Sequence, residues 1–137
     1  MYGPGYILLL VFTATHSVDS DASQNYFYLP KSEFELGIIE CGEHLVDVAV
    51  VNQSKLNRRV LGVEAMCDLA CCYGPADGDG TTIIDAGQTY KLAIQVLVKK
   101  PGPFVAPVTV YLEDKGTRRI TVTITGMGVS DAISSAE

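Results

Sequence analysis

The cysteines are the residues of this 137-residue sequence whose types and spacing could carry chemistry. Cys67, Cys71 and Cys72 fall within one short segment, and Cys41 stands alone earlier in the chain. In an oxidising compartment thiols pair by default, so we expect one or two disulfides, or buried thiols. Cys67 would pair with Cys71 or Cys72, and Cys41 with the remaining cysteine if both lie at the same end of the domain. The spacing leaves the connectivity open.

A soft-metal or thiol-redox site is the alternative use of the same residues. Thiolates at Cys67, Cys71 and Cys72, with His44 or Cys41 as a fourth ligand, would suit Cu(I) or Zn(II). A zinc ribbon needs two separated C-x-x-C pairs, and the sequence contains neither these nor a single C-x-x-C redox motif. We therefore favour the disulfide interpretation and expect no cofactor.

The remaining composition offers little for catalysis or for nucleic acid binding. Ten Lys and Arg residues against sixteen Asp and Glu give a formal charge of −6, which opposes binding to phosphate backbones. The two histidines, His16 and His44, are the side chains that ordinarily titrate near neutral pH. The aspartates between residues 68 and 85 have no basic catalytic partner nearby in the sequence. We expect a protein that is not an enzyme.

Two short motifs resemble known sites but are better interpreted as turns. Asp77–Gly80 suggests a calcium loop, yet counting from Asp77 places Thr81 and Gln88 where an EF-hand needs its fifth and twelfth ligands. We interpret this segment as a surface loop. Asn52-Gln53-Ser54 fits the N-glycosylation sequon and also reads as the turn that ends a strand.

The N-terminal segment predicts export. Tyr6–Phe12 is an uninterrupted apolar run, about ten residues long when extended to Thr15, which suits a signal peptide and is too short to span a membrane. Plausible cleavage points follow Ser17, Ser20 or Ala22. The alternative is a buried first strand of the domain. We expect a secreted or periplasmic protein, with no stable membrane span after signal cleavage.

From Glu33 onward the hydrophobic pattern has a period of two, as in strands with one buried face. Asp114–Gly116 predicts the turn of an antiparallel hairpin, and Gly37 is a candidate bulge. Pro101, Pro103 and Pro107 lack amide donors, so the strand that follows should begin at a sheet edge or an irregular entry. The predicted strands are Glu33–Ile39, Leu45–Val51, Arg59–Met66, Thr81–Ile84, Tyr90–Val98, Val108–Glu113 and Ile120–Thr125.

About seven short strands and no convincing amphipathic helix predict an all-β, immunoglobulin-like antiparallel β-sandwich. The N-terminal hydrophobic signal segment would precede it. The expected organisation is a signal peptide over residues 1–22, a linker over 23–32, the sandwich over 33–129 and a C-terminal tail over 130–137.

The order of these motifs resembles the DUF1573 family, immunoglobulin-like domains related to the wider ASH/MSP group. The matching segments are Phe34–Glu43, Val48–Ser54, Val63–Cys72, Ile83–Gln88 with Ala86 where the family usually has Pro, Gly102–Phe104, Val108–Leu112 and Val122–Gly126. The departure lies at the cysteines, because this chain spreads the family's cysteine pair and adds a third. The resemblance covers nearly all of the predicted mature chain. It implies an exported bacterial domain with a non-catalytic role.

We therefore expect a non-catalytic, exported binding or scaffolding domain. It would offer a sheet face or a strand edge to another protein or to a component of the cell envelope. The alternative is a small soft-metal-binding or thiol-redox protein that uses the Cys67, Cys71 and Cys72 cluster.

Overall fold

The computed structural model describes residues 25–130, and within them every regular element is a β-strand. There are ten strands in this range. They are β1 Phe27–Tyr28, β2 Glu33–Glu40, β3 Gly42–Asn52, β4 Arg58–Val63, β5 Met66–Cys67, β6 Cys71–Pro75, β7 Thr82–Ile84, β8 Thr89–Val98, β9 Gly102–Glu113 and β10 Thr117–Val129. No helix able to cross a membrane occurs in this part of the chain. The predicted signal peptide lies outside the described residues, as does most of the predicted tail.

The strands form two five-stranded sheets that enclose one core. Sheet A has the order β1-β3-β8-β6-β5, and sheet B has the order β2-β10-β9-β4-β7. Pairing is antiparallel throughout, except that β2 runs parallel to β10. The core is aliphatic, because valines, isoleucines and leucines occupy every second position of the long strands and point between the sheets. The predicted all-β sandwich is confirmed.

The expected count of seven strands is wrong, because three short strands leave little pattern in the sequence. A strand of two residues such as β1 or β5 is too short to show a period of two. The predicted strand Arg59–Met66 is in fact two strands, since β4 ends at Val63 and Met66 begins β5. A register shift between Val60 and Gly62 allows Val60 and Val63 both to face the core. Part of the predicted linker is also structured, since it contains β1.

Two local predictions are confirmed, and a third is confirmed in part. Asp114–Gly116 turns β9 into β10, and Gly116 adopts a φ of 106°. The bulge lies at Gly37, where φ is 73° and the register between β2 and β10 shifts. The strand does not begin after the prolines as predicted, because β9 starts at Gly102 and contains Pro103 and Pro107. The expected edge is present, since both prolines pair with β10 but lie in the half of β9 that β4 does not reach. Their missing amides therefore leave no gap between β9 and β4.

The first strand is held in place by a buried carboxylate. The side chain of Asp114 is fully buried and accepts hydrogen bonds from the amides of Tyr26, at 2.9 Å, and Phe27, at 3.3 Å. Arg118 donates to the same carboxylate at 2.7 Å and to the Phe27 carbonyl oxygen at 3.0 Å. The Tyr26 ring is in turn covered by the Arg58 guanidinium, 3.7 Å from the ring centroid. The start of the domain is thus fastened to the β9–β10 hairpin.

The Asn52 side chain organises the loop between β3 and β4. It is fully buried, and its Nδ2 donates to the carbonyl oxygens of Leu56 and Ile84, both at 2.9 Å. Its Oδ1 accepts hydrogen bonds from the amide and hydroxyl of Ser54. The sequon that begins at Asn52 is therefore a structural turn whose amide nitrogen is already used inside the folded domain.

We expect Asp114→Asn to destabilise the domain by about 2–3 kcal/mol, because the neutral amide weakens the pair with Arg118 and leaves a buried donor facing other donors. Urea unfolding followed by circular dichroism measures the change. Glu113→Gln is the matched control, since the Glu113 carboxylate meets Arg59 at the surface and its loss should leave stability close to wild type. Equal stability of the two variants would contradict a stabilising role of the buried Asp114 carboxylate.

The same carboxyl should make stability fall in acid. Burial raises the pKa of Asp114, but the hydrogen bonds from the Tyr26 amide, Arg118 and the Phe27 amide outweigh it and hold the pKa below its ordinary value. Its contribution is therefore complete above about pH 4 and is lost as the pH falls through the folded pKa. The difference in unfolding free energy between wild type and Asp114→Asn should shrink as the pH falls from about 5 to about 2. If the difference stayed constant across that pH range, the acid dependence of stability would not come from Asp114.

Candidate binding surface beside the disulfide hairpin

Cys67 and Cys72 form a disulfide that closes a small hairpin at the edge of sheet A. They are direct cross-strand partners of β5 and β6, with α-carbons 3.9 Å apart. In the connecting loop, Asp68 Oδ1 accepts hydrogen bonds from the backbone amides of Ala70 and Cys71, each at 2.8 Å. These two hydrogen bonds lower the pKa of Asp68. We call the segment Met66–Tyr73 the disulfide hairpin.

Cys71 points away from its neighbour Cys72, because successive side chains of a strand face opposite sides of the sheet. Its thiol is buried in the core, with Sγ 3.9 Å from the Val105 carbonyl oxygen. Burial raises the pKa of Cys71, and the nearby charge of Asp68 raises it further. The thiol is therefore a packed core group that stays protonated at neutral pH.

Cys41 and Cys71 remain free thiols, so the second disulfide considered from the sequence does not form. The topology supplies the reason. Gly42, which follows Cys41, and Cys71 pair with the same residue, Val98, from opposite sides of β8. Two strand spacings separate their α-carbons by about 10 Å, beyond the reach of a disulfide. The backbone amide of Cys41 donates a hydrogen bond to the Val129 carbonyl oxygen, which holds this residue beside β10.

The candidate metal ligands are not gathered in this structure. Cys67 and Cys72 are joined to each other, and Cys71 lies on the opposite face of the strand. The Nε2 atom of His44 is 2.7 Å from the Glu40 carbonyl oxygen. Within residues 25–130, no three His, Cys, Asp or Glu side chains are grouped as metal ligands. A thiolate site would first require reduction of the disulfide, and it stays a prediction.

Asp77–Gly80 forms a loop that is stabilised by hydrogen bonds among its own residues and Thr81. The Gly80 amide donates to the Asp77 carbonyl oxygen at 3.1 Å. Asp79 Oδ1 accepts from the Thr81 hydroxyl at 2.6 Å and from the Thr81 amide at 3.0 Å. These bonds lower the pKa of Asp79 and give its side chain a structural role in the turn.

A groove of about 500 Å³ runs beside the disulfide hairpin on the outer face of sheet A. Its floor comes from outward side chains of neighbouring strands, namely Cys72, Gln95 and Leu97. Ala65 and Met66 line it on the side of the hairpin, and Glu43 lines it from β3. Because this lining is largely apolar and contains few ionisable groups, the groove is suited to binding.

Gly74 allows the chain to lie close above β6 at this groove. A Cβ atom at position 74 would stand 2.9 Å from the Cβ of Ala65, closer than two side-chain carbons can approach. Only glycine therefore fits beneath the segment that leads into the disulfide hairpin. Gly74 and Ala65 therefore lie next to each other, and both line the groove.

Large apolar side chains are exposed around the groove. Leu69 at the tip of the hairpin is 81% exposed, and Met66 is 48% exposed. On the other side, Leu45 of β3 is 68% exposed and faces outward in register with Gln95. Leu45 faces the same side of sheet A as the floor of the groove, whereas Met66 lies opposite Tyr73 at the edge of the sheet. Together with Leu69 at the hairpin tip, they mark an exposed surface that can bind a partner.

The cysteines of this site could be recognised in the sequence, whereas most of their apolar neighbours could not. The signal was present at Leu97, which occupies a solvent-side position of β8 where Lys91 and Gln95 are polar. A large apolar residue on that side breaks the alternation. For Met66 and Leu69 no comparable pattern existed, because a two-residue strand and a turn have no period to break.

The fold is shared with solved domains of low sequence identity. No protein-family model matches the sequence, and no curated protein matches it. The chain is similar to the ASH/PapD-like domain of human CEP192 (PapD-like domain 7), with a TM-score of 0.58 and 10% identity over 77% of this chain and 87% of that one. This similarity shows an immunoglobulin-like β-sandwich fold.

Two further structures agree on the fold. The VesB protease of Vibrio cholerae matches with a TM-score of 0.55 and 13% identity over 82% of this chain, but over only 34% of that protein. A CsuC–CsuE chaperone–tip adhesion subunit pre-assembly complex of Acinetobacter baumannii matches with a TM-score of 0.50 and 16% identity, over 74% of this chain and 56% of that one. At these identities the comparison concerns the fold alone.

We expect mass spectrometry after alkylation to find one Cys67–Cys72 bridge and two free thiols, those of Cys41 and Cys71. In the native protein the partly buried Cys41 should react first, and Cys71 only on unfolding, because its thiol is buried and protonated. Alkylation of Cys67 or Cys72 without reductant, together with bound copper or zinc in native mass spectrometry, would favour the metal interpretation instead.

Proposed function

We propose that this chain is an exported, non-catalytic protein-binding domain, akin to the DUF1573 domains that its motifs resemble. The groove beside the disulfide hairpin would be its binding surface. The observation that carries the proposal is the exposure of large apolar side chains around a groove whose wall is fixed by the Cys67–Cys72 bridge.

The physical chemistry of the groove favours binding of another protein. Covering Met66, Leu69 and Leu45 would remove apolar surface from water, and this burial is the main driving force of most protein association. The disulfide restrains the hairpin before any partner arrives. Less conformational freedom is therefore lost on binding, and more of the contact energy appears as affinity.

Export is supported by the sequence and by the disulfide. The apolar run Tyr6–Phe12 has the length of a signal-peptide core. A solvent-exposed bridge such as Cys67–Cys72 persists in oxidising compartments and is rare in the reducing cytosol. These two features together support a secreted or periplasmic location.

The side chains that line the groove favour binding over catalysis. Glu43 and Tyr73 are the ionisable side chains among those that line the groove in the described part of the chain. The Tyr73 hydroxyl faces Met66 Sδ at 3.9 Å, and burial raises the pKa of Tyr73. A protonated phenol against a thioether is neither a general base nor an activated nucleophile at neutral pH.

Site-specific photo-crosslinking in the producing cells tests the proposal. A benzophenone amino acid at Leu97 should give a covalent adduct with one partner protein, whereas the same probe at Thr121 on the outer face of sheet B should not. Adding Met66→Glu should abolish the Leu97 adduct, because a charge at the wall opposes apolar docking. Equal crosslinking at both positions, or an adduct that is unaffected by Met66→Glu, would overturn the proposal.

A further inference from the structure

Within the described part of the chain, one side of β3 has no neighbouring strand along most of its length. β1 pairs with β3 only through Phe27 opposite Asn52 and Tyr28 opposite Val51. Beyond these pairs, among residues 25–130, no backbone group hydrogen-bonds to the side of β3 that faces away from β8 between Glu43 and Val50. We call this stretch the β3 edge. Its unpaired N–H and C=O groups are a template for another strand.

The edge is open because the chain leaves it at Pro30. β1 runs antiparallel to β3, and continuation in the same register would place Leu29 beside Val50 and Pro30 beside Ala49. Proline has no amide to donate to such a ladder. The chain instead crosses to sheet B, where β2 begins at Glu33 and pairs with β10.

The β3 edge is also the most regular open stretch in the described part of the chain. The register between β3 and β8 is unbroken from Gly42 opposite Val98 to Val51 opposite Thr89. The other stretches without a neighbour are shorter or interrupted: β2 has a bulge at Gly37, β9 has prolines in its unpaired half, and β5 and β7 have only two and three residues. A straight edge of this length can accept several consecutive ladder hydrogen bonds.

The outward side chains of the β3 edge alternate in character. Glu43, Leu45 and Asp47 all face solvent, and the side chains between them face the sandwich. A strand placed alongside would bring its own outward residues within about 5 Å of these side chains. Basic residues opposite Glu43 and Asp47, and an apolar residue opposite Leu45, would complement the edge.

A second copy of this chain complements the edge poorly. Antiparallel pairing of two β3 strands centred on Leu45 would place Glu43 opposite Asp47, and pairing centred on Asp47 would place the two aspartates face to face. Like charges directly opposite each other are destabilising. Pairing centred on Val46 would set Leu45 against Asp47, which provides no opposite charge for either acid.

We propose that the β3 edge binds an extended segment of a different protein with the pattern basic-x-apolar-x-basic, which joins sheet A as an additional strand. The pattern reads the same in both directions, so it fits parallel and antiparallel addition. This inference rests on the proposed binding function and names the chemistry of the partner. Glu43 lines the groove as well as the edge, so the two surfaces are continuous.

Peptide binding to the full chain tests the inference. The probe is a labelled Thr-Lys-Thr-Ile-Thr-Lys-Thr peptide titrated to millimolar concentration by fluorescence anisotropy, with Glu in place of both Lys residues as the control peptide. Glu43→Lys combined with Asp47→Lys should weaken the basic probe about tenfold and strengthen the acidic one by a similar factor. Glu33→Lys combined with Glu35→Lys on β2 is the matched control and should leave both affinities unchanged.

Amide exchange measured by NMR reports on the backbone. The outward amides of the β3 edge should exchange fast in the free chain and slow down when the basic probe is added. Slow exchange in the free monomer would mean that the chain covers its own edge, and slowing that depends on protein concentration would mean self-pairing; each would overturn the inference. Unchanged peptide affinities in the β3 double variant, with crosslinking at Leu97 intact, would refute strand addition but leave the proposed function standing.

Discussion

The buried carboxylate of Asp114 determines how the chain enters the sandwich. Two ladder pairs between β1 and β3 are too few to hold a strand in place, since short isolated pairings are marginal in water. The Asp114 carboxylate accepts two further hydrogen bonds from the backbone here, from the Tyr26 and Phe27 amides, which are 88 and 87 positions away in the sequence. Because Arg118 neutralises the carboxylate, its burial is tolerated. The position of β1 thus depends on a side chain of the β9–β10 turn.

This anchor has consequences for both sheets. With Tyr26 and Phe27 fixed against the β9–β10 hairpin, Pro30 comes where further pairing with β3 would need an amide, and the chain moves to sheet B. There β2 completes the sheet beside β10 as the parallel strand of the fold. Among residues 25–130, nothing pairs with the outer side of the long strand β3 beyond its two pairs with β1. A local electrostatic interaction and one proline therefore set the shape of the surface that remains for a partner.

The sequence was informative where strands are long and uninformative where they are short. β8 and β10 could be predicted because alternation over many residues has only one structural explanation. The choice between Cys71 and Cys72 as the partner of Cys67 depended on which residue lies directly across a two-residue strand. That register is set by the turn around Asp68, and no spacing rule contains it. The hydrogen bonds from Tyr26 and Phe27 to Asp114 were equally unpredictable, because these residues are distant from Asp114 in the sequence.

The acidic residues on β3 explain how the β3 edge disfavours pairing with a second copy of the chain. An edge with only apolar outward residues would pair with any extended chain, including its own copy. Glu43 and Asp47 make self-pairing unfavourable in the registers that bring them together, and they flank the exposed Leu45 that a partner would bury. The same two charges that block the wrong strand are those that a basic strand would neutralise. Discrimination at this edge therefore needs no additional pocket, because the repulsion and the attraction come from the same side chains.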